Sequence, residues 1–186
     1  MSRHDRILER DRSLLLMIDL QESYRGKIHE EERMVRGAGR LLDAARVLGV
    51  PVVLTEQYPK GLGATRDDVA AHLPETVERF EKTVFSALGA DGLPAALARH
   101  GRDQVVVAGI ETHVCVGQSV HDLLARGLQA HVVRDAVGAR FPLEDEMGWA
   151  KMMASGAQPA TSEQVLFEWL ERAGTPEFKA IHKLVV

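Results

Sequence analysis

The sequence predicts an α/β protein, a three-layer α/β/α sandwich around a doubly wound, mostly parallel sheet. Three observations carry that prediction. Short apolar runs rich in β-branched residues recur at Leu14 to Ile18, Val50 to Leu54 and Val105 to Ile110, the pattern of strands buried on both faces. Amphipathic helical stripes alternate with them. No repeat, low-complexity tract or Pro/Gly/Ser-rich linker breaks the order, so residues 1–186 read as one domain with its core at about 13–170.

Each element follows in turn. Leu14 to Ile18 forms the first strand and ends on Asp19. Met34, Ala38, Leu41, Leu42, Ala45 and Leu48 then recur at three- and four-residue steps, a helix that Gly49 and Pro51 stop. Val50 to Leu54 is the second strand. After a long irregular stretch, Phe80-Glu81-Lys82-Thr83-Val84-Phe85 enters a short strand, and a helix covers about Leu93 to Arg99. Val105 to Ile110 is the next strand. Val116, Val120, Leu123 and Leu124 form a helical stripe that Gly127 ends, and Ala130 to Val133 is a shorter strand. Leu143 to Ser155 and Ser162 to Arg172 read as helices, with a weaker strand at about Gln158 to Thr161 between them.

Composition excludes several classes of function. At 186 residues, 45% hydrophobic and 27% charged, the chain has material for one soluble core but not for two. Its formal charge of −4 offers no basic surface for a phosphate backbone, which sets nucleic acid aside. No stretch reaches the ~18 apolar residues of a membrane span. The opening MSRHDRILERDR has no apolar core of signal-peptide length. A single cysteine cannot form an internal disulfide and suits a reducing compartment, so the expectation is a cytoplasmic protein.

In such sheets the ligand crevice lies beyond the carboxyl ends of the strands. That edge collects Asp19, the segment Glu56 to Gly63, the segment Ile110 to Cys115, and Arg134 with Asp135. Cys115 follows a strand and a tight turn. Thr112 is placed to cap the next helix, which puts Cys115 in its first turn. There the free amides and the helix dipole favour a thiolate, lower its pKa, and can hold an oxyanion. On position alone a buried structural cysteine remains open. Asp19 ends an apolar run, where a charge is costly unless paired or functional; it can serve as acid and base, or cap a loop. Lys82, among apolar neighbours, could hold that carboxylate ionised and in place, or simply be solvated.

The trio resembles the Asp-Lys-Cys triad of the isochorismatase-like cysteine hydrolases, which include nicotinamidases and N-carbamoyl amidohydrolases. Three blocks carry the resemblance: Met17-Ile18-Asp19-Leu20-Gln21, Lys82-Thr83-Val84-Phe85-Ser86, and Gly109-Ile110-Glu111-Thr112-His113-Val114-Cys115-Val116. It implies Asp19, Lys82 and Cys115 as catalytic residues and a supporting role for Asp135. It also implies a cis peptide bond between Ile110 and Glu111, which turns the amide of Glu111 towards that of Cys115 to form an oxyanion hole. Membership in a homo-oligomer, dimer or larger, is implied as well.

Two departures narrow the reading. Nicotinamidases carry an Asp-x-His metal motif after the second strand, whereas Thr55-Glu56-Gln57-Tyr58-Pro59-Lys60-Gly61-Leu62-Gly63 has no histidine. No metal site and no cofactor are therefore expected. Authentic isochorismatases lack the nucleophilic cysteine that stands here as Cys115. The loop itself resembles the isochorismatase-domain-containing branch. In it, Gln57 and Tyr58 are candidate substrate contacts, with a plain turn as the alternative. His113 is a third candidate, or else pocket wall or surface. The expected function is hydrolysis of a small amide, carbamoyl or related C–N substrate through a thioester. A non-catalytic binding protein of the same fold and a redox-sensing thiol are the alternatives. No G-x-G-x-x-G or P-loop run follows any strand.

Overall fold

The computed structural model describes residues 3–186. Six strands form its sheet: β1 (Ser13–Ile18), β2 (Val52–Gln57), β3 (Glu78–Lys82), β4 (Gln104–Ile110), β5 (Gln129–Gly138) and β6 (Gln158–Ala160). They lie in the order β3-β2-β1-β4-β5-β6, and every pairing is parallel. The direction of winding reverses between β1 and β4, the doubly wound arrangement that the strand pattern predicts. The helices are α1 (Glu31–Leu48), the short α2 (Pro59–Leu62) and α3 (Asp67–Ala70), α4 (Leu93–His100), α5 (Gly117–Ala125), α6 (Pro142–Ala154), α7 (Ser162–Leu170) and α8 (Pro176–His182).

The uniform apolar runs have a direct structural cause. Successive side chains of a strand point to opposite faces, and here helices cover both. Leu14, Leu16 and Ile18 join a core with Leu93, Val120, Leu123 and Met152 from α4, α5 and α6. Leu15 and Met17 join the other core, with Leu41, Leu42, Val165 and Trp169 from α1 and α7. No helix among the described residues is long and apolar enough to cross a membrane.

The element ends differ from the sequence reading where pairing, not hydrophobicity, decides them. β2 starts two residues later, because Pro51 has no amide to donate and contributes only its carbonyl, to the Leu15 amide at 2.9 Å. It then runs on through polar Thr55, Glu56 and Gln57, which pair with Phe80, Glu81 and Lys82 of β3. β5 continues past Val133 to Gly138, since an irregularity between Val107 and Gly109 lets β4 pair again with Val137 and Gly138. The tail forms α8, with the Thr175 hydroxyl accepting from the Phe178 amide at 3.2 Å. Ile181 is buried, and Leu184 and Val185 pack on the core beside α1 and α7, so the apolar tail covers the chain's own core edge.

Candidate active site

Parallel strands bring the ends of β1, β2, β3 and β4 to one edge of the sheet, and the register fixes what meets there. Ile18 pairs with Thr55 on one side and Gly109 on the other, while Gln57 pairs with Lys82. Asp19 leaves β1 with φ 53, a left-handed conformation that Asp tolerates better than most residues. Its amide donates to the Thr55 carbonyl at 3.1 Å. Its side chain therefore turns in rather than continuing the strand's alternation.

The Asp19 carboxylate and the Lys82 ammonium form a buried ion pair. Lys82 Nζ donates to Asp19 Oδ2 at 2.6 Å, with side-chain exposures of 0% and 2%. Charges so far from water are retained only when their remaining bonds are met. Here they are. Thr55 Oγ1 donates to Asp19 Oδ1 at 2.7 Å, and Lys82 Nζ also donates to Gln57 Oε1 at 2.6 Å and the Phe85 carbonyl at 3.0 Å. Gln21 locks this frame from below. Its Oε1 accepts from the Gln57 amide at 2.8 Å, and its Nε2 donates to the carbonyls of Gln57 at 2.9 Å and Gly63 at 2.6 Å.

Cys115 enters from β4. Gly109 has φ +126, and a Cβ there would lie 2.0 Å from the Ile18 carbonyl oxygen, so only glycine lets β4 turn this close to β1. The Ile110–Glu111 peptide bond is cis. Thr112–Val116 then forms a π-helical turn that leads into α5. Thr112 does not cap that helix. Its hydroxyl is committed to Asp145 Oδ1 on α6 at 2.5 Å, and it is already inside the turn, with Glu111 at the capping position. Asp145 also binds Arg134 at 2.7 Å, and Arg134 lies over the Trp149 ring at 5.0 Å. Gly148 is the contact point: a Cβ there would stand 2.7 Å from His113 Cα. On the other flank, Ser119 Oγ donates to the Cys115 carbonyl at 2.6 Å and accepts from the Ala87 amide at 2.7 Å. The turn is held from both sides.

The thiol's ionisation runs opposite to the sequence reading. Cys115 is 7% exposed. Burial first, and then the Asp19 charge, push its pKa up from 9.0 to about 12, against the opposing pull of Lys82. A helix-start position alone suggested a lowered value; the neighbouring carboxylate and the loss of water outweigh it. Both influences favour the neutral thiol over the thiolate. Its alkylation by iodoacetamide is accordingly expected to keep accelerating with pH beyond about 8.5, the value for a free thiol. A plateau at or below that pH would show that the dipole and Lys82 dominate instead.

The remaining predicted residues are dispersed. The side chain of Gln57 is spent on Lys82 and on the Thr83 carbonyl, to which its Nε2 donates at 2.9 Å; it supports the ion pair. Tyr58 is 54% exposed and lines a cleft of about 520 Å3 with Pro59, Lys60, Thr83, Val84 and Asp91. Lys82 also lines that cleft, although its side chain is buried, whereas Asp19 and Cys115 are not among the lining residues. His113 Nε2 lies 3.8 Å from Glu144 of α6. The Glu111 carboxylate accepts from the Arg140 amide at 3.1 Å and from Arg140 Nε at 3.0 Å. Asp135 accepts from the amide and hydroxyl of Ser162, at 2.7 and 2.5 Å, and so anchors the start of α7.

Sequence reasoning missed Thr55, Gln21, Asp145 and Tyr24. The phenol of Tyr24 is half-buried. Burial first, and then the Glu111 carboxylate, raise its pKa. The one available signal was a tyrosine five residues after Asp19 in a polar turn. No group of three or more His, Cys, Asp or Glu able to hold a metal ion occurs among the described residues.

Residues 13–164 match the family model described as the isochorismatase domain, a span that contains Asp19, Lys82 and Cys115. The chain belongs to the isochorismatase family. Isochorismatase domain-containing protein 2A of Mus musculus is 41% identical over 176 residues, covering 93% of this chain and 82% of its own. A structure described as the MAR1 ribonuclease of Caenorhabditis elegans superposes with a TM-score of 0.91 at 37% identity, covering 96% of this chain and 91% of that one. The YcaC gene product of Escherichia coli, described as an octameric hydrolase of unknown specificity, has a TM-score of 0.85 at 22% identity, with coverages of 92% and 85%; at that identity it speaks for the fold. Isochorismatase-family membership supports a hydrolase role.

Proposed function

We propose that this isochorismatase-family chain is a cysteine hydrolase that cleaves a C–N bond in a small amide or carbamoyl compound. One observation carries the reading: a buried carboxylate–ammonium pair whose charges both act on an adjacent, nearly buried thiol. Each Asp19 oxygen already accepts one hydrogen bond yet keeps a further lone pair for the thiol proton. A thiol pushed up to about 12 is not waiting as a thiolate. It ionises as it attacks.

In the first half-reaction Asp19 takes the proton from Cys115 Sγ while sulfur bonds to the substrate carbonyl carbon. The main-chain amides of Glu111 and Cys115 receive the developing oxyanion. The intermediate collapses, the C–N bond breaks, and Asp19 returns the proton to the departing amine. This leaves a thioester on Cys115. In the second half Asp19 takes a proton from water, hydroxide oxygen adds to the thioester carbon, and the C–S bond breaks with that proton returning to sulfur. Lys82 balances the Asp19 charge and fixes its position throughout. Gln57, Thr55 and Gln21 hold the pair. A raised thiol pKa also weighs against a redox-sensing role, because oxidation follows thiolate character.

The test is a panel of small amides and carbamoyl compounds with mass spectrometry of the intact protein. Turnover and an acyl adduct on Cys115, both lost in Cys115→Ala, are expected. Turnover that survives Cys115→Ala would overturn the assignment. Because the loop after β2 lacks histidine, EDTA treatment should leave that activity unchanged; inactivation reversed by zinc would contradict a metal-free site. For the C. elegans relative described as a ribonuclease, an equivalent RNA activity here would need a basic track that a net charge of −4 does not favour. The lone thiol fits a reducing, cytoplasmic setting.

A further inference from the structure

The turn that carries Cys115 mixes bonds of different pitch. The Glu111 carbonyl accepts from the amides of Val114 at 2.9 Å and Val116 at 3.2 Å, three and five residues on. Such a turn is not a regular helix, and what packs on it decides its shape. Helix α6 does so through two residues three apart on one face. Asp145 Oδ1 accepts from the Thr112 hydroxyl at 2.5 Å, a group that would otherwise compete for nearby main chain. At Gly148 a Cβ would stand 2.8 Å from the His113 nitrogen and 2.9 Å from the Thr112 carbonyl carbon. Between them they grip the Thr112–His113 peptide, which lies in the chain between Glu111 and Cys115.

Asp145 is a costly residue for this place. It is buried and pairs with Arg134 Nη2 at 2.7 Å. The other terminal nitrogen, Arg134 Nη1, is buried without a hydrogen-bond partner, although the guanidinium lies over the Trp149 ring at 5.0 Å. For stability alone, well-packed apolar side chains would serve as well or better than such a pair. What the carboxylate delivers is a fixed Thr112. Arg134 then offsets a negative charge close to where a substrate carbonyl would gather its own.

We infer that Asp145 is a positioning residue for acyl transfer: acting through Thr112, it holds the amides of Glu111 and Cys115 where the oxyanion forms. The inference rests on the acyl-transfer reading of Cys115. It does not extend to the thiol itself, whose ionisation is set by burial, Asp19 and Lys82. Loss of the Asp145–Thr112 bond should therefore slow attack on a carbonyl, where an oxyanion develops. It should spare attack on iodoacetamide, where sulfur displaces iodide from carbon and none develops.

The test compares two rates at Cys115 in the full chain. One is acetylation by p-nitrophenyl acetate, read as p-nitrophenolate release and as the acetyl adduct by intact mass; the other is alkylation by iodoacetamide. Thr112→Val, which leaves the Asp145–Arg134 pair in place, and Asp145→Ala should each lower acetylation about a hundredfold, the scale for a misplaced oxyanion donor. Alkylation should stay near the wild-type rate in both. The double variant should be no slower than either single one, and Thr112→Ser should recover most of the loss. With an amide that the wild type turns over, the loss should fall on kcat and leave KM unchanged. If Asp145→Ala does not fold, Thr112→Val decides. Wild-type acetylation in folded Thr112→Val, or acetylation and alkylation falling together, would overturn the proposal and leave Cys115 as nucleophile. Wild-type acetylation no faster than that of Cys115→Ala would instead sink the acyl-transfer reading, and this inference with it.

Discussion

Asp19→Asn is expected to lower kcat/KM on the order of 10,000-fold, the upper end of what a positioned acid–base group contributes, while making Cys115 easier to alkylate. The two effects have one cause. The Asp19 charge is the second largest contribution raising the Cys115 pKa, after burial, and Lys82 acts in the opposite sense. An amide in place of the carboxylate removes the first influence and leaves Lys82 opposed by burial alone, so the thiol pKa falls. Its iodoacetamide reactivity at a given neutral pH then rises about tenfold for each pH unit of that fall. Catalysis nevertheless fails, because no group remains to carry the proton to the leaving amine. Residues that act as a unit are non-additive, so Asp19→Asn combined with Cys115→Ala should be hardly slower than Cys115→Ala alone. The paired measurement separates this role from a structural one. A structural Asp19 would lower Tm and leave turnover intact at permissive temperature. Retention of near-wild-type turnover in Asp19→Asn would show that another residue supplies the base.

Lys82→Met is expected to cost both activity and stability. With side-chain exposures of 0% and 2% for Lys82 and Asp19, removal of the ammonium strands a carboxylate away from water. Breaking a buried pair in this way costs about 3–5 kcal/mol, which in a domain of this size lowers Tm on the order of 10 °C. Gln57 Oε1 and the Phe85 carbonyl lose their donor too, so the loop after β3 loosens. Most of the penalty belongs to the orphaned charge rather than to the lost contact. Lys82→Met with Asp19→Asn should therefore be more stable than Lys82→Met alone, a coupling that thermal unfolding of the four proteins in the cycle reads directly. If the double variant is less stable than the wild type by the sum of the two single effects, the pair carries no coupling and the ion-pair account fails.

How much of this was legible in advance depends on the range of the physics involved. The strands at Leu14 to Ile18 and Val105 to Ile110 could be read from the chain because burial on both faces leaves an uninterrupted apolar run. The stripe of α1 and its stop at Gly49 are local as well. Asp19 and Cys115 stood out because a carboxylate ending an apolar strand and a thiol entering a helix are unusual at short range. Lys82 stood out less, as a charge among apolar neighbours that could equally be solvated, and resemblance to a family strengthened its role, since its partner lies 63 residues away. Gln57 was a candidate substrate contact with a plain turn as the alternative; its side chain is bound to Lys82, a neighbour that only the β2–β3 register supplies. Thr112 was misread as a cap because Asp145, from another helix, takes its hydroxyl. The sign of the Cys115 shift was the largest reversal. A helix start is a local feature and argues for a lower pKa, whereas burial and the Asp19 charge are tertiary facts and raise it. The sequence by itself thus determined the layers, the sheet edge and the chemical identity of the groups there, through periodicity and local cost. Only the tertiary structure decided which side chain meets which and in what protonation state, because those depend on distances and desolvation between segments far apart in the chain.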